Sequence, residues 1–294
     1  VIGSKPIDGG YLIFDEGEEI EFLAKEPSAR NFIRPYIGSV EFIQGGSRHI
    51  LALQDARPEQ LRAMPECLKK LELVRQFRLG KIPARSKQND KPKTPGISSS
   101  ALAQTPSQFH VTVLPKTPFL IVPEVSSENR DYVPIGYMSP PTIPSNLVRI
   151  IPNATPYLFG LITSRIHMSW LRIIGGRLES RYRYSIGLVY NPFPWPDTDD
   201  AAKEKISKLA EAVLAARLNH PTSTLADLYD PLTMPPDLRK AHTALDLAVD
   251  RLYRKEPFAT DRERVEFLLA RYEQITAPAL ALAAQKPKRV KKAK

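Results

Sequence analysis

Apolar positions recur along this chain in two regimes, and the change falls near residue 198. Before it the apolar runs are short and cut by proline or glycine. After it they become long stripes at helical spacing. Residues 1–26 read as an entry segment, with a Gly9-Gly10 turn, an apolar run Tyr11 to Phe14 and an acidic stretch ending in Phe22-Leu23. Val40 to Ile43 and Arg48 to Leu53 flank Gly45-Gly46, a spacing that predicts a hairpin. A helix is expected from Pro58, re-set at Pro65, with Leu68, Leu71, Val74 and Phe77 on one face and its end near Gly80. From Pro83 to Pro106 periodicity is lost and Pro, Ser, Lys and Asn dominate, which predicts a loop. Val111 to Leu114, Phe119 to Val125, Tyr132 to Met138 and Leu147 to Pro152 read as strands, with Tyr157 to Ile162 as a fifth. Their prolines favour edge strands or an irregular sheet. A helix from Thr163 is expected to face the core through Ile166, Trp170 and Ile173 and to stop at Gly175-Gly176.

Beyond the proline-aromatic segment Asn191 to Pro196 the residues are helix formers. Ile206, Leu209, Val213 and Leu214 form one stripe. Leu238, Ala241, Leu245, Val249 and Leu252 form a second; Val265, Leu268, Leu269, Tyr272 and Ile275 form a third, opened by a capping-box spacing at Thr260 and Glu263. Three stripes in need of partners predict a small bundle. The expected class is therefore α+β: an irregular mixed or antiparallel sheet with helices, followed by a small all-α helical bundle. The expected segments are 1–26 (entry), 27–197 (mixed domain), 198–277 (helical domain) and 278–294 (basic, disordered tail).

Charge sharpens this division. The chain carries a formal +10 in 294 residues. Residues 1–26 hold 2 basic and 7 acidic side chains, 27–197 hold 22 and 11, 198–277 hold 12 and 14, and the tail adds 6 lysines or arginines. Positive charge thus concentrates on the middle domain and the tail, as a polyanion-binding surface requires. A single cysteine, Cys67, excludes an internal disulfide and suits a reducing, cytoplasmic setting. No apolar run reaches the roughly 18 residues of a membrane span, and no signal peptide is visible. The opening at Val1, without an initiator methionine, suggests a piece of a longer polypeptide.

The densest chemistry lies between Ile162 and Ser185, where Arg165, Arg172, Arg177, Glu179, Arg181 and Arg183 alternate with Trp170, Tyr182 and Tyr184. A guanidinium fork fits phosphate oxygens or the acceptor edge of guanine, and a carboxylate accepts from the exocyclic amine of cytosine. In extended backbone Glu179 and Arg181 point the same way, so the two together suit a C·G pair. A solvated loop whose ions pair with each other is the competing reading. Arg165, Arg172 and Arg177, with Lys87, Lys91 and Lys93 of the 83–106 loop, are candidates for phosphate contact. Arg85 lies in the same stretch and Lys81 just before it. His49, His110, His167, His220 and His242 share no metal-ligand spacing with Cys67. His242 and Asp246 stand four apart on an expected helix, an ordinary pair. Asn191-Pro192-Phe193-Pro194 has the wrong order for the Asn-Pro-Pro-aromatic loop with which amino-methyltransferases grip a base, and no glycine-rich nucleotide turn precedes it. A self-contained enzyme built on these residues, and a protein-interaction scaffold with a basic surface, remain the alternatives to a binding module.

Several strings together resemble the C-terminal half of MmeI-like type II (IIG/IIL) restriction-modification enzymes. They are Arg34 to Ile43, Pro123 to Tyr137, Ile150 to Trp170, Gly176 to Ser185, Val189 to Pro196 and Leu225 to His242. The resemblance spans about residues 5 to 276 and implies a DNA target recognition domain followed by a C-terminal helical domain. It implies no catalytic residue, cofactor or metal in this chain. S-adenosylmethionine and magnesium belong to methylase and nuclease domains that precede these parts in the same polypeptide, where the methyl group goes to the adenine amine. It further implies a double-stranded DNA partner and base-reading positions at Glu124 with Asn146, Leu147 with Arg183, and Glu179 with Arg181. The first and last pairs would each read C·G; Leu147 and Arg183 would prefer a purine. Pro192 departs from the Asn-Asn-Phe-Pro form of many relatives.

Overall fold

The computed structural model describes residues 1–85 and 97–284. They form two compact units. The first is Val1–Ser126, Val133–Ala154 and Pro221–Thr233; the second is Ser127–Tyr132, Thr155–His220 and the chain from Met234 on.

The first unit holds two small sheets. In one, β1 (Ile13–Phe14), β3 (His49–Leu51) and β2 (Ile33–Ile37) run antiparallel, and β7 (Ile143–Pro144) joins β2 in parallel. In the other, β4 (Phe119–Pro123) is central, flanked antiparallel by β6 (Gly136–Met138) and β8 (Val148–Pro152). All five residues of β4 are buried, as expected of a central strand, and β5 (Val125–Ser126) follows it after one residue. Three helices accompany them early on: α1 (Glu18–Lys25), α3 (Pro58–Arg62) and α4 (Pro65–Arg78). Cys67, Leu71, Val74 and Phe77 are the buried face of α4, with Leu12, Phe14, Ile50 and Leu51 in the core beside it, whereas Leu68 points outward. Burial pushes the Cys67 thiol up to about 12.

The expected hairpin at Gly45-Gly46 is not formed. Ser39–Gln44 is instead a helix, α2. The Glu41 carboxylate returns to accept from the Gly38 N–H at 2.8 Å, and Gly45 ends the helix at φ 78°. A local cap outweighs the strand preference of Val40 and Ile43 because it satisfies a donor that a short strand would leave open. Part of the expected 83–106 loop is a 3₁₀ segment, Ile97–Gln104. Arg78, almost fully buried at the end of α4, holds that region: its guanidinium donates to the carbonyls of Pro6, Ile7, Leu102, Thr105 and Gln108 at 2.7 to 3.0 Å. A one-turn helix, α8 (Leu225–Leu228), returns to this unit with a reciprocal Thr224–Asp227 cap.

The second unit is helical with one hairpin. Tyr157 to Ile162, expected as a strand, lies in helix α5 (Pro156–Ile162): Thr155 Oγ1 accepts from Leu158 N and Pro156 occupies the first turn, where its missing N–H costs nothing. Its companions are α6 (Arg165–Ile174), α7 (Asp200–Leu218), α9 (Pro236–Asp250) and α10 (Asp261–Ala284). The expected three-helix bundle is thus joined by α5, which packs on α7, and α6, which packs on α10. Gly160 permits the first contact, since a Cβ there would lie 2.8 Å from Ile206 Cγ2. Ile166 and Trp170 of α6 are buried as expected; Ile173 is exposed. α10 runs past Pro278 into the segment expected as tail, and the terminal Lys286 to Lys294 lies outside the described residues.

Candidate nucleic-acid interface

Gly176 to Arg183 is a β-hairpin of β9 (Gly176–Leu178) and β10 (Arg181–Arg183), with Leu178 opposite Arg181 and Glu179-Ser180 as its turn. Along β10 the exposed Arg181 and Arg183 flank buried Tyr182, the alternation a strand imposes. Glu179 is not extended: it sits at φ 57°, a left-handed conformation that costs a non-glycine residue about 1 kcal/mol. Its carboxylate meets Arg181 Nη2 at 2.7 Å with side-chain exposures of 76% and 46%, so a turn, not a shared strand face, brings the acceptor and the donor together. Glu128, on the 127–132 segment, bonds Ser180 of the turn, and that bond with the charges of Arg177 and Arg181 holds its carboxyl below the usual range.

The helix that leads into the hairpin, α6, is held at its N-terminus. Both Asp246 oxygens are committed: Oδ1 accepts from Arg165 N at 2.7 Å, capping α6, and Oδ2 accepts from Tyr132 OH at 2.6 Å. Burial nevertheless pushes this carboxyl up to about 6. His242 stacks on the Tyr132 ring at 4.0 Å. His242 and Asp246 thus belong to the packing of α9. His167, buried in α6, meets Tyr184 OH at 2.9 Å, and burial lowers it to about 3. Phe193 of the Asn191 to Pro196 segment is buried edge-on to His167, Trp170 and Trp195, which anchors that segment to the core.

The phosphate candidates differ from one another. Arg165 and Arg172 both bond Asp261, at 2.7 and 2.6 Å. Arg177 is exposed but stacks over the Tyr182 ring at 4.0 Å and donates to Ser180 O. Arg85 bonds Glu18 and the Ile13 carbonyl. Lys87, Lys91 and Lys93 lie outside the described residues.

In the first unit Glu124, Asn146 and Leu147 share one end of the β4–β8 ladder. Glu124 N donates to Leu147 O at 3.1 Å, and Ser39 Oγ reaches the same carbonyl at 2.6 Å. Ser145 N donates to Ile37 O, and Leu147 N to Ser145 Oγ. Gly3 lets the chain pass beside this turn, since a Cβ there would lie 2.2 Å from Ser145 O. The Leu147 side chain is half exposed; that of Glu124 is 12% exposed and bonds Arg149 at 2.8 Å. Arg149, Asp261, Ser39 and Glu128 were not singled out by the sequence. For Arg149 a signal existed, a lone charge inside the apolar run Val148 to Ile151.

The second unit thus presents a basic hairpin and the first a polar turn, each on well-held elements, in a chain of mixed and helical parts. Family comparison makes this particular. The family model of the MmeI target recognition domain matches residues 1–197, and that of the MmeI C-terminal domain matches 198–280. The chain belongs to the MmeI family. It is 39% identical over 274 residues to DNA methyltransferase A of Bacillus subtilis (strain 168), covering 93% of this chain and 30% of that protein. It superposes on the type IIL restriction-modification enzyme MmeI, solved in complex with DNA, with a TM-score of 0.87 and 41% identity, over 94% of this chain and 35% of that one. The chain therefore spans about a third of the length of these relatives. Among the described residues no helix is long and apolar enough to cross a membrane.

Proposed function

We propose that this chain reads the base sequence of double-stranded DNA for a restriction-modification methyltransferase of the prokaryotic cytoplasm. The observation that carries the reading is the exposed Glu179–Arg181 pair on a hairpin, beside Arg183, in a chain that belongs to the MmeI family. Glu179 accepts from cytosine and Arg181 donates to guanine of one C·G pair; Glu124 with Asn146 reads a second, and Leu147 with Arg183 prefers a purine. For the phosphates, Arg177 is exposed on the hairpin, and Arg165 and Arg172 share one Asp261 carboxylate and so keep a net positive charge. Transfer of a methyl group from S-adenosylmethionine to an adenine amine, and magnesium-dependent cleavage, fall to domains of the same polypeptide outside this chain.

The test is selection of bound duplexes from a random pool at several salt concentrations. Glu179→Lys combined with Arg181→Asp is expected to change the preferred base pair at one position by about 1 to 3 kcal/mol, with the salt dependence nearly unaltered. An unchanged preference would overturn the assignment. Equal affinity for selected and random duplexes would sink the reading as a whole.

A further inference from the structure

We infer that Arg149 is a positioning residue for the base-reading pair Glu124 and Asn146, an inference that rests on the reading above. The two acidic readers stand in different settings. At the hairpin Glu179 is bonded by Arg181, which is itself assigned to the base. Glu124 is bonded by an arginine that no reading assigns to a base or a phosphate.

Arg149 lies on β8 opposite Val122 of β4, and in the same register Val148 faces Pro123, the last residue of β4. Glu124 follows that strand directly, while Asn146 stands two residues before β8 begins. Both readers therefore leave the ladder at the end where Arg149 sits.

From β8 the Arg149 guanidinium spans the gap between the two segments that carry them. Nη2 meets Glu124 Oε1 at 2.8 Å, and Nη1 donates to Asn146 O at 3.1 Å and more weakly to Val148 O at 3.4 Å. The planar fork thus ties the Glu124 carboxylate to the backbone of the Asn146 turn. Both charged side chains are largely shielded, at 14% and 12% exposure, where a fixed hydrogen bond sets direction more firmly than at an open surface. The order in which a base edge meets acceptor and donor at this position is therefore set by three residues. Arg149 fixes the orientation of the other two. A lysine would supply one compact charge and could not hold the carboxylate and the turn together.

The experiment is the same duplex selection, run on the chain with Arg149→Met and Arg149→Lys, with thermal melting of each variant. The two positions are first marked by Glu124→Lys with Asn146→Asp and by Glu179→Lys with Arg181→Asp. Arg149→Met is expected to lower discrimination about tenfold at the Glu124-dependent position and to leave the Glu179-dependent position within about twofold, because a bidentate contact loses its worth when misaligned. Arg149→Lys is expected to fall between, with near-native melting, and decides the matter if the methionine variant does not fold. Native discrimination in the lysine variant, or an equal loss at both positions, would overturn the inference. If the Glu124 and Asn146 exchange itself moves no base preference, the base-reading assignment fails and the inference with it; if that exchange moves the preference and the Arg149 variants do not, the inference alone fails.

Discussion

The turn that carries Asn146 and the hairpin that carries Glu179 use similar chemistry on opposite terms. Around Asn146, backbone and side chains from α2, β2, β4 and β8 converge, and the Glu124–Arg149 pair is shielded. On the hairpin, Glu179 and Arg181 stand in solvent and bond one another. A shielded pair resists loss of either member, because removing one partner strands the other's charge; an exposed pair contributes little and can be exchanged freely. The Glu124 carboxylate is thus part of its scaffold, and the Glu179 carboxylate is an attachment to its own.

The largest expected effect tests that contrast directly. Glu124→Ala should lower stability by about 2 kcal/mol, since Arg149 is left without its anion, while Glu179→Ala should stay within about 0.5 kcal/mol. Urea melts of the two variants decide it, and equal losses would break the comparison.

The carboxylate at the N-terminus of α6 gives a pH test of similar size. The Asp246 carboxyl is raised to about 6 by burial, above the roughly 3.9 of an unfolded chain, so the folded state takes up its proton first. This residue's contribution therefore becomes more favourable as pH falls from about 6 to about 4, by on the order of 2 kcal/mol. The difference in stability between the parent chain and Asp246→Asn, measured across that window, should show this rise; a flat difference would remove the buried-carboxylate account.

The smallest effect has the opposite sign. Glu179→Gly relieves a left-handed backbone and should raise stability by about 0.5 to 1 kcal/mol in thermal melts while abolishing base preference at one position. A loss of stability would show that the turn depends on the Glu179 side chain.

Much of this protein was legible in the residues. The helical stripes appear as α7, α9 and α10 because an amphipathic repeat needs only a partner face. The buried run Phe119 to Pro123 is a strand, and Glu179, Arg181 and Arg183 are exposed. Short segments went otherwise. Val40 to Ile43 and Tyr157 to Ile162 have strand-like composition, yet Gly38 with Glu41, and Thr155 with Pro156, close helical turns. Over so few residues a cap counts for as much as intrinsic preference.

Periodicity, charge placement and family motifs, all local properties of the sequence, determined the class of the chain and its basic middle. Tertiary structure alone decided which charges are already engaged: Arg165 and Arg172 on Asp261, Arg78 on five carbonyls, Arg149 on Glu124. The physical reason is that an ion pair or a buried guanidinium depends on partners far along the chain, and no spacing within one segment records them.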